Sequence, residues 1–511
     1  MRGVYNSVTD IRRKVFAAIA EMAYEEDVNY TERLESIPYE IIEGKQAKYR
    51  DSIFLERAII GERLRLGMGL PVRDITTAGA ISDGVEESII AEKFYDQPLI
   101  NIISFACHAC PEKKVMVTDG CQGCLSHQCV EVCPKKAVSI VNGRSEINQD
   151  LCIKCGKCQD VCPYNAIIKI ERPCAASCGM NAITSDEDGK AKINYDKCVS
   201  CGQCLVNCPF GAIVDKGQIF QTIYAMREHE VIAAVAPAFI GQFGANVTPE
   251  QVIGGLKELG FADVVEVAIG ADLCTIEEAE DFLKKVPEEL DFMATSCCPA
   301  WSVLAKKEFP QFKDNISMAL TPMVLTARMI KKDHPNAKVC FIGPCAAKKL
   351  EASRRSIRSD VDFVLTFEEV MGMFSAKKID LPTITCEETF DKATAAGREF
   401  AVSGGVAKAV KTLIEKEHPG TVVKVQAAEG LKNCRTMLLM AKAGRLNGYL
   451  LEGMACPGGC VAGAGTLAPI AKSSAAVKKY SKDSAMATAD LSEFHDLVHP
   501  ISHMYDAPEE E

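Results

Sequence analysis

The feature that most constrains this chain is a block of cysteines in its first half. The chain has 25 cysteines in 511 residues, and 16 of them lie between Cys107 and Cys208. The first residues do not form a secretory signal. In a large chain of this kind, such a density indicates metal ligation and not a disulfide framework.

Two stretches of the block share the spacing C-x2-C-x2-C-x3-C-P. One runs from Cys152 to Pro163 and the other from Cys198 to Pro209. The spacing resembles that of bacterial two-cluster ferredoxins, where three thiolates wrap one [4Fe–4S] cube and the fourth binds the other cube. A third stretch, from Cys121 to Pro134, has the variant spacing C-x2-C-x4-C-x3-C-P. Three clusters follow from these motifs.

A fourth cluster is predicted because one partition uses every cysteine of the block. The predicted cubes are Cys152, Cys155, Cys158 and Cys208; Cys198, Cys201, Cys204 and Cys162; Cys121, Cys124, Cys129 and Cys178; and Cys107, Cys110, Cys174 and Cys133. Zinc also binds C-x2-C pairs, but its sites rarely show three ligands at this spacing followed by Cys-Pro. His108 and His127 are predicted to be surface residues. Because such cubes only transfer single electrons, the second half of the chain must contain the chemistry that produces or consumes those electrons.

From Val231 onward, short apolar runs alternate with helical stretches. Strand-like runs are 231–239, 262–270, 291–297, 338–345, 399–405 and 448–456. The alternation predicts an α/β domain with mostly parallel sheets, whose sites lie where strands end. The predicted organisation is a helical N-terminal region without a chemical motif (1–100), ferredoxin-like α+β iron–sulfur domains (101–215), a catalytic domain (216–470), and a helical C-terminal segment with an acidic tail (471–511).

Composition narrows the classes of partner. The net charge of −11 argues against a nucleic-acid-binding protein, which needs a basic patch. No stretch reaches the roughly 20 apolar residues that span a bilayer. We therefore expect a soluble, cytoplasmic protein with no membrane partner.

Three motifs in the second half carry a resemblance to a known family. They are TSCCPAW (295–301), GPCAAKK (343–349) and EGMACPGGC (452–460). In this order, over roughly residues 101–500, they resemble the [FeFe] hydrogenases, in particular the monomeric, ferredoxin-dependent type. The resemblance implies a catalytic domain of two α/β lobes with the H-cluster between them. The H-cluster is a [4Fe–4S] cube joined to a two-iron unit that carries CO, CN⁻ and an azadithiolate.

The resemblance assigns ligands and pocket residues. Cys298, Cys345, Cys456 and Cys460 would hold the cube, and Cys460 would also bridge to the two-iron unit. Lys348 would donate a hydrogen bond to a cyanide. The pocket would be lined by Ala236, Pro237, Ala238 and Met454. Glycines 458, 459, 463 and 465 would let the backbone approach the cofactor closely.

The resemblance also explains why two cysteines stand side by side. Cys297 would be the first protein group to pass a proton, since a thiol titrates nearer neutral pH than a hydroxyl. The family's relay then maps onto Glu278, Ser317 and Asp281, with Lys285 near the exit. Three pocket positions depart from the family pattern: Gly343 for methionine, Met323 for glutamine and Ala238 for serine.

The implied activity is reversible H₂ ⇌ 2H⁺ + 2e⁻. Electrons would pass to ferredoxin or flavodoxin, because no strand-GxGxxG-helix unit for a dinucleotide is present, and maturation proteins would deliver the two-iron unit. An H₂ sensor and an iron–sulfur carrier or assembly factor are the alternatives. Five residues are predicted to serve packing alone: Cys274, Cys340, Cys386, Cys434 and Trp301.

Overall fold

The computed structural model of the protein describes residues 3–93, 97–354 and 360–504. The predicted acidic tail, residues 508–511, lies outside the described residues. None of the helices in the described part is both long and apolar enough to cross a bilayer.

The N-terminal region is helical, as its pattern predicts. Its helices are α1 (Ser7–Tyr24), α2 (Tyr30–Ile41), α3 (Ile53–Gly67) and α4 (Val85–Ser88). The Asn6 side chain begins α1 by accepting hydrogen bonds from the backbone N–H groups of Val8 and Thr9.

The cysteine block forms two ferredoxin-like modules, one nested inside the other. The elements are β1 (Ile100–Ile102), β2 (Lys114–Val117), α5 (Gln128–Glu131), β3 (Val138–Val141), β4 (Arg144–Ile147), α6 (Lys157–Asp160), β5 (Ile167–Ile170), α7 (Pro173–Ala176), β6 (Ile183–Ser185), β7 (Ala191–Ile193), α8 (Gln203–Asn207) and β8 (Ile213–Asp215). Antiparallel β2 and β5 enclose the β3–β4 hairpin, and antiparallel β1 and β8 enclose the β6–β7 hairpin. We call residues 114–170 the inner module, and residues 100–110 with 173–215 the outer module.

The C-terminal half contains two parallel sheets, as the strand–helix alternation predicts. The strands are β9 (Val231–Val235), β10 (Asp263–Glu266), β11 (Met293–Ala294), β12 (Lys338–Gly343), β13 (Phe363–Thr366), β14 (Lys424–Glu429) and β15 (Tyr449–Met454). The first sheet has the order β10-β9-β12-β13 and the second the order β11-β15-β14. Every pairing in both sheets is parallel.

Helices flank both sheets. They are α9 (Ile219–Ala225), α10 (Pro249–Leu259), α11 (Ala268–Lys285), α12 (Pro299–Glu308), α13 (Pro322–Asp333), α14 (Ala346–Ala352), α15 (Phe367–Lys377), α16 (Ala395–Glu399), α17 (Gly405–Glu417), α18 (Leu431–Lys442), α19 (Ile470–Lys482) and α20 (Val498–Ser502). The strand predicted at 399–405 is wrong, because these residues end α16 and turn into α17 at Gly404, whose φ is +86°. A short apolar run does not distinguish a strand from a buried turn.

The N-terminal helices bridge the outer module and the C-terminal half. Helix α1 packs on α15 and α9. The half-buried Arg12 and the buried Glu368 form an ion pair of 2.7 Å that joins α1 to α15. The Arg50 guanidinium donates to the carbonyl of Phe210, in the outer module, at 2.8 Å. The region therefore holds two parts of the protein together.

Candidate functional site

A cavity with about 860 Å³ of empty space opens at the carboxyl ends of strands from both parallel sheets. Ala236 follows β9, Cys345 follows β12 and Cys456 follows β15. The predicted ligands and pocket residues that line it are Cys297, Cys298, Cys345, Cys456, Cys460, Lys348, Ala236, Pro237, Ala238, Met323, Met454 and Gly459. The structure thus brings the three sequence motifs into one place.

Two of the four ligand cysteines stand at helix N-termini. Cys298 precedes α12 and Cys345 precedes α14, where the helix dipole favours negative charge. Burial nevertheless raises the pKa of Cys298, and raises that of Cys345 to about 11. Free thiols in this apolar cavity stay protonated, so metal binding has to displace their protons. The donor set of four thiols fits a [4Fe–4S] cube of the kind that the family resemblance implies.

Lys348 is buried against the cavity and held by two side chains. Its Nζ lies 2.6 Å from Glu351 Oε2 and donates to Thr321 Oγ1 at 3.2 Å. Thr321 in turn donates to Glu351 at 2.8 Å. Burial alone would lower the pKa of Lys348, but the charge of Glu351 raises it above its ordinary value. The structure therefore keeps a fixed ammonium donor at the edge of an apolar cavity.

Cys297 shares its buried surroundings with Glu278. Burial raises the pKa of Cys297 well above its ordinary value, and the nearby Glu278 carboxylate adds to the shift. Burial also raises the pKa of Glu278 to about 8, although the Ser296 N–H donates to Oε1 at 3.2 Å. Ser317 lies close enough to lower the Glu278 pKa slightly. Oε2 of Glu278 is buried and accepts no hydrogen bond from the described residues, so it is open to a further donor.

The outer end of the predicted relay reaches solvent along α11. Asp281 and Lys285 follow Glu278 at three and seven residues and so share one helix face. They form an ion pair of 2.7 Å, and both side chains are partly exposed. Sequence reasoning missed Glu277, whose pKa burial raises and whose carboxylate accepts from Ser502 at 3.0 Å.

The glycines of the third motif lie so close to other parts of the chain that a side chain would not fit there. A Cβ at Gly459 would lie 2.5 Å from the Ser403 nitrogen, and one at Gly463 would lie 2.2 Å from the Pro344 carbonyl oxygen. A Cβ at Gly458 would lie 2.8 Å from the Ile470 side chain, and one at Gly465 would lie 2.3 Å from the Cβ of Thr366. Packing within the protein therefore already favours glycine at these positions. Gly459 and Gly463 also line the cavity, and the role of the four glycines in cofactor approach stays a prediction.

The three departures from the family pattern have different structural outcomes. Ala238 and Met323 both line the cavity. A Cβ at Gly343 would lie 2.5 Å from the ring of Phe341, which itself lines the cavity. Phe341 therefore occupies the space that a side chain at position 343 would need.

The structure groups the sixteen cysteines of the block differently from the predicted partition. Three small voids are lined by Cys107, Cys110, Cys174 and Cys208; by Cys121, Cys124, Cys129 and Cys162; and by Cys133, Cys152, Cys155 and Cys158. The remaining thiols meet around Cys204, whose pKa is raised first by burial and then by Cys201, Cys198 and Cys178. The fourth cysteine predicted for each cluster is therefore wrong in all four cases. Motifs exchange their fourth cysteines within the inner module and within the outer module, because one module is nested inside the other.

Each of the four groups contains four cysteines, which is the number of thiolates that hold a [4Fe–4S] cube. Within the described ranges, no three His, Cys, Asp or Glu side chains lie close enough together to hold a single metal ion.

A short sequence repeat marks the four cysteines that join the cluster site of the other motif in their module. Each is followed four residues later by an alanine whose backbone N–H donates to its sulfur, at 3.2 to 3.4 Å. The pairs are Cys133 with Ala137, Cys162 with Ala166, Cys178 with Ala182, and Cys208 with Ala212. Cys178 lacks the following proline, and this concealed its position in the repeat.

The outer module also contributes residues to the cavity that sequence reasoning did not assign there. Cys201 lines the cavity. The Gln203 side-chain amide donates to Cys456 Sγ at 3.1 Å. Trp301 is fully buried, as predicted, and its ring lies so close to Gly453 that a Cβ there would be 2.1 Å from it.

Comparisons with known proteins agree with this site. Residues 229–464 match the family described as the iron-only hydrogenase large subunit, C-terminal domain, and residues 145–168 and 190–213 match 4Fe-4S binding domains. The periplasmic [Fe] hydrogenase large subunit of Nitratidesulfovibrio vulgaris is 29% identical over 285 residues, covering 47% of this chain and 68% of the relative. Iron hydrogenase 1 of Clostridium pasteurianum is 28% identical over 288 residues, covering 47% of this chain but only 50% of the relative.

Relatives with other names match as well. The nuclear prelamin A recognition factor of Xenopus laevis is 25% identical over 292 residues, covering 46% of this chain and 64% of the relative. A solved structure titled as [FeFe]-hydrogenase H-cluster assembly covers 53% of this chain and 89% of its own, with 22% identity and a TM-score of 0.44. The domain match, the two 4Fe-4S matches and the hydrogenase relatives show that residues 229–464 of this chain form an iron-only hydrogenase domain preceded by 4Fe-4S motifs.

Proposed function

We propose that the protein is an [FeFe] hydrogenase that catalyses reversible H₂ oxidation and proton reduction. The observation that carries the proposal is that Cys297 and Lys348 share one cavity with all four ligand cysteines. A chain that only carried clusters would need neither a second thiol nor a buried ammonium there. When bound, the H-cluster supplies the redox chemistry of H₂.

The residues of this chain position that group and move its protons. Cys298, Cys345, Cys456 and Cys460 would hold the cube. Lys348, fixed by Glu351 and Thr321, would donate to a ligand of the two-iron unit and so orient it.

Protons would pass along a line from the cavity to solvent. Cys297 would give a proton to, or take one from, Glu278, whose pKa of about 8 lets it hold and release a proton near neutral pH. Ser317 would assist this step. Asp281 and Lys285 would exchange the proton with solvent at the end of α11.

Electrons would travel between the cavity and a cytoplasmic carrier through the modules. Cys174 and Cys204 are close enough for their charges to interact, and so are Cys201 and Cys345. The two cluster sites of the outer module are therefore neighbours of each other, and one of them is a neighbour of the cavity. The inner module would then carry electrons to ferredoxin or flavodoxin, giving four accessory clusters in all.

The direct test is H₂ evolution from reduced methyl viologen by protein matured anaerobically with the proteins that deliver the two-iron unit. We expect turnover by the wild type. Cys297→Ala should lose at least about 10²-fold in rate, because a positioned acid or base contributes roughly 10²–10⁴-fold. It should retain the CO and CN⁻ infrared bands. The matched control is Cys340→Ala, which removes a buried thiol outside the cavity and should remain active.

Two outcomes would favour the alternatives. If the wild type showed the infrared bands but scarcely turned over, an H₂ sensor would be the better description. An iron–sulfur assembly role, suggested by relatives with that name, would be favoured if cubes formed and no bands appeared.

A further inference from the structure

One side chain connects the outer module to the catalytic cavity through a ligand sulfur. Gln203 lies between Cys201 and Cys204, and its amide Nε2 donates to Cys456 Sγ at 3.1 Å. Cys456 belongs to the ligand set of the cavity, whereas Cys201 and Cys204 belong to the neighbouring cluster site. No motif of the sequence points to this residue.

The backbone around Gln203 is built for close approach. Gly202 has a φ of +73°, and a Cβ there would lie 2.5 Å from the Cβ of Ala464 and 3.2 Å from that of Ala346. Ala346 follows the ligand Cys345 directly. The loop therefore presses against two segments of the cavity wall, and this contact brings the Gln203 amide within reach of the sulfur.

Gln203 is also restrained. It is only 7% exposed. Its backbone carbonyl oxygen accepts from Asn207 Nδ2 at 2.8 Å and from Ser177 Oγ at 3.4 Å. A donor that is buried and whose backbone is already fixed loses less entropy in forming the bond, so the bond should persist.

We propose that Gln203 is a positioning residue that raises the reduction potential of the catalytic cube and sets its contact with the neighbouring cluster. The inference rests on the proposed function in one respect, that Cys456 is a ligand of that cube. One electron passes from the cluster of Cys178, Cys198, Cys201 and Cys204 to the catalytic cube, with no bond made or broken. The cube then carries one more negative charge, partly on its sulfurs, and a hydrogen bond to a ligand sulfur stabilises that charge.

The test compares Gln203→Met with wild type in the full matured chain. Methionine has a similar length and no N–H donor. An infrared-monitored redox titration follows the CO and CN⁻ bands, whose positions report the charge on the adjacent cube. We expect about a tenfold change in the redox equilibrium of the cube toward the oxidised form, which is a shift of 59 mV to lower potential. Gln203→Lys, which restores an N–H donor, should recover part of the shift.

The chain offers a matched control. Gln128 occupies the same position before Cys129 in the inner module and lines another cluster site. Gln128→Met should leave the potential of the catalytic cube unchanged. An unchanged potential in Gln203→Met, or equal shifts in both variants, would overturn the inference.

A second measurement separates this inference from the proposed function. The full chain produced without maturation carries cubes alone, and its reduction is followed by electron paramagnetic resonance. Gln203→Met should still lower the potential of one cube there, and Gln128→Met should leave the potential of that cube unchanged. If the wild type lacks infrared bands while this shift is present, the proposed function fails and the role of Gln203 stands.

Discussion

Glu278 is the residue whose chemistry is most altered by the fold. Its carboxyl is completely buried, and burial raises its pKa to about 8 from an ordinary 4.5. It is therefore protonated at neutral pH, when an exposed glutamate would be ionised. This places an acid beside Cys297 that can release its proton close to physiological pH.

Glu278→Gln should reduce H₂ evolution by about 10² or more, since glutamine keeps the shape but carries no proton to exchange. The wild-type rate should fall above about pH 8, where Glu278 loses its proton. Methyl viologen assays from pH 6 to 9 check both expectations. A variant with the wild-type rate and pH profile would exclude Glu278 from the proton path.

The same residue predicts a dependence of stability on pH. Between about pH 4.5 and 8 the folded chain binds a proton at Glu278 that the unfolded chain does not. Its contribution to stability is therefore largest at low pH and declines as pH rises through this window. Glu278→Gln removes this contribution, so its melting temperature should vary less than that of wild type between pH 6 and 8.5.

Among the elements, the loop before α8 determines how the outer module meets the C-terminal half. Gly202 and Gly156 occupy equivalent motif positions and both have positive φ, +73° and +88°. A Cβ at Gly202 would overlap Ala464, whereas one at Gly156 would meet nothing within 4 Å. An alanine at Gly156 would therefore cause backbone strain alone, whereas an alanine at Gly202 would cause the same strain and also disturb the interface.

Gly202→Ala should slow H₂ oxidation with ferredoxin as the acceptor, because the cluster loop must move away from the cavity. Gly156→Ala carries only the backbone cost of about 1–2 kcal/mol. Gly202→Ala should lose roughly 1–3 kcal/mol more through overpacking. Thermal unfolding and the ferredoxin-linked rate, measured side by side, test this. Equal effects of the two substitutions would show that the contact at Gly202 is not needed.

At the scale of the whole molecule, charge is distributed unevenly. The inner module, residues 114–170, has seven Lys and Arg against five Asp and Glu, a net charge of +2, in a chain whose net charge is −11. Lys135 and Lys157 are exposed and line the site of Cys133, Cys152, Cys155 and Cys158. Exposed apolar residues of the same module are Leu125, Val141, Leu151, Ile153 and Tyr164. This surface suits an acidic electron carrier.

The double variant Lys135→Glu, Lys157→Glu should raise the KM for an acidic ferredoxin about tenfold at low salt, and less at high salt because of screening. Its rate with methyl viologen should stay near that of wild type. Lys478→Glu with Lys479→Glu, on the exposed face of α19, makes the same change of charge elsewhere. If that control raised the KM equally, the inner module would not be the docking surface.

How far the sequence predicts this molecule depends on the kind of information each feature needs. The cavity ligands were predicted because each is embedded in a motif, and the structure places Cys298, Cys345, Cys456 and Cys460 together. The partition of the accessory cysteines among clusters was not predicted correctly, because it depends on the pairing of β1 with β8, which lie on either side of the whole inner module in the chain. Gln203 could not be predicted, since its hydrogen bond joins residues 253 positions apart. Local spacing determines which residues bind metal, but the nesting of modules determines which of them share a cluster.

The central claim is that this cavity binds a two-iron unit with CO and CN⁻ ligands, and infrared spectroscopy of the anaerobically matured chain tests it most directly. The account predicts sharp CO and CN⁻ bands in the wild type and in Cys340→Ser. It predicts their loss in Cys460→Ser, because the family resemblance makes Cys460 the one covalent tether of the two-iron unit. A wild-type chain that filled its cubes, as shown by iron content, and yet gave no bands would contradict the account.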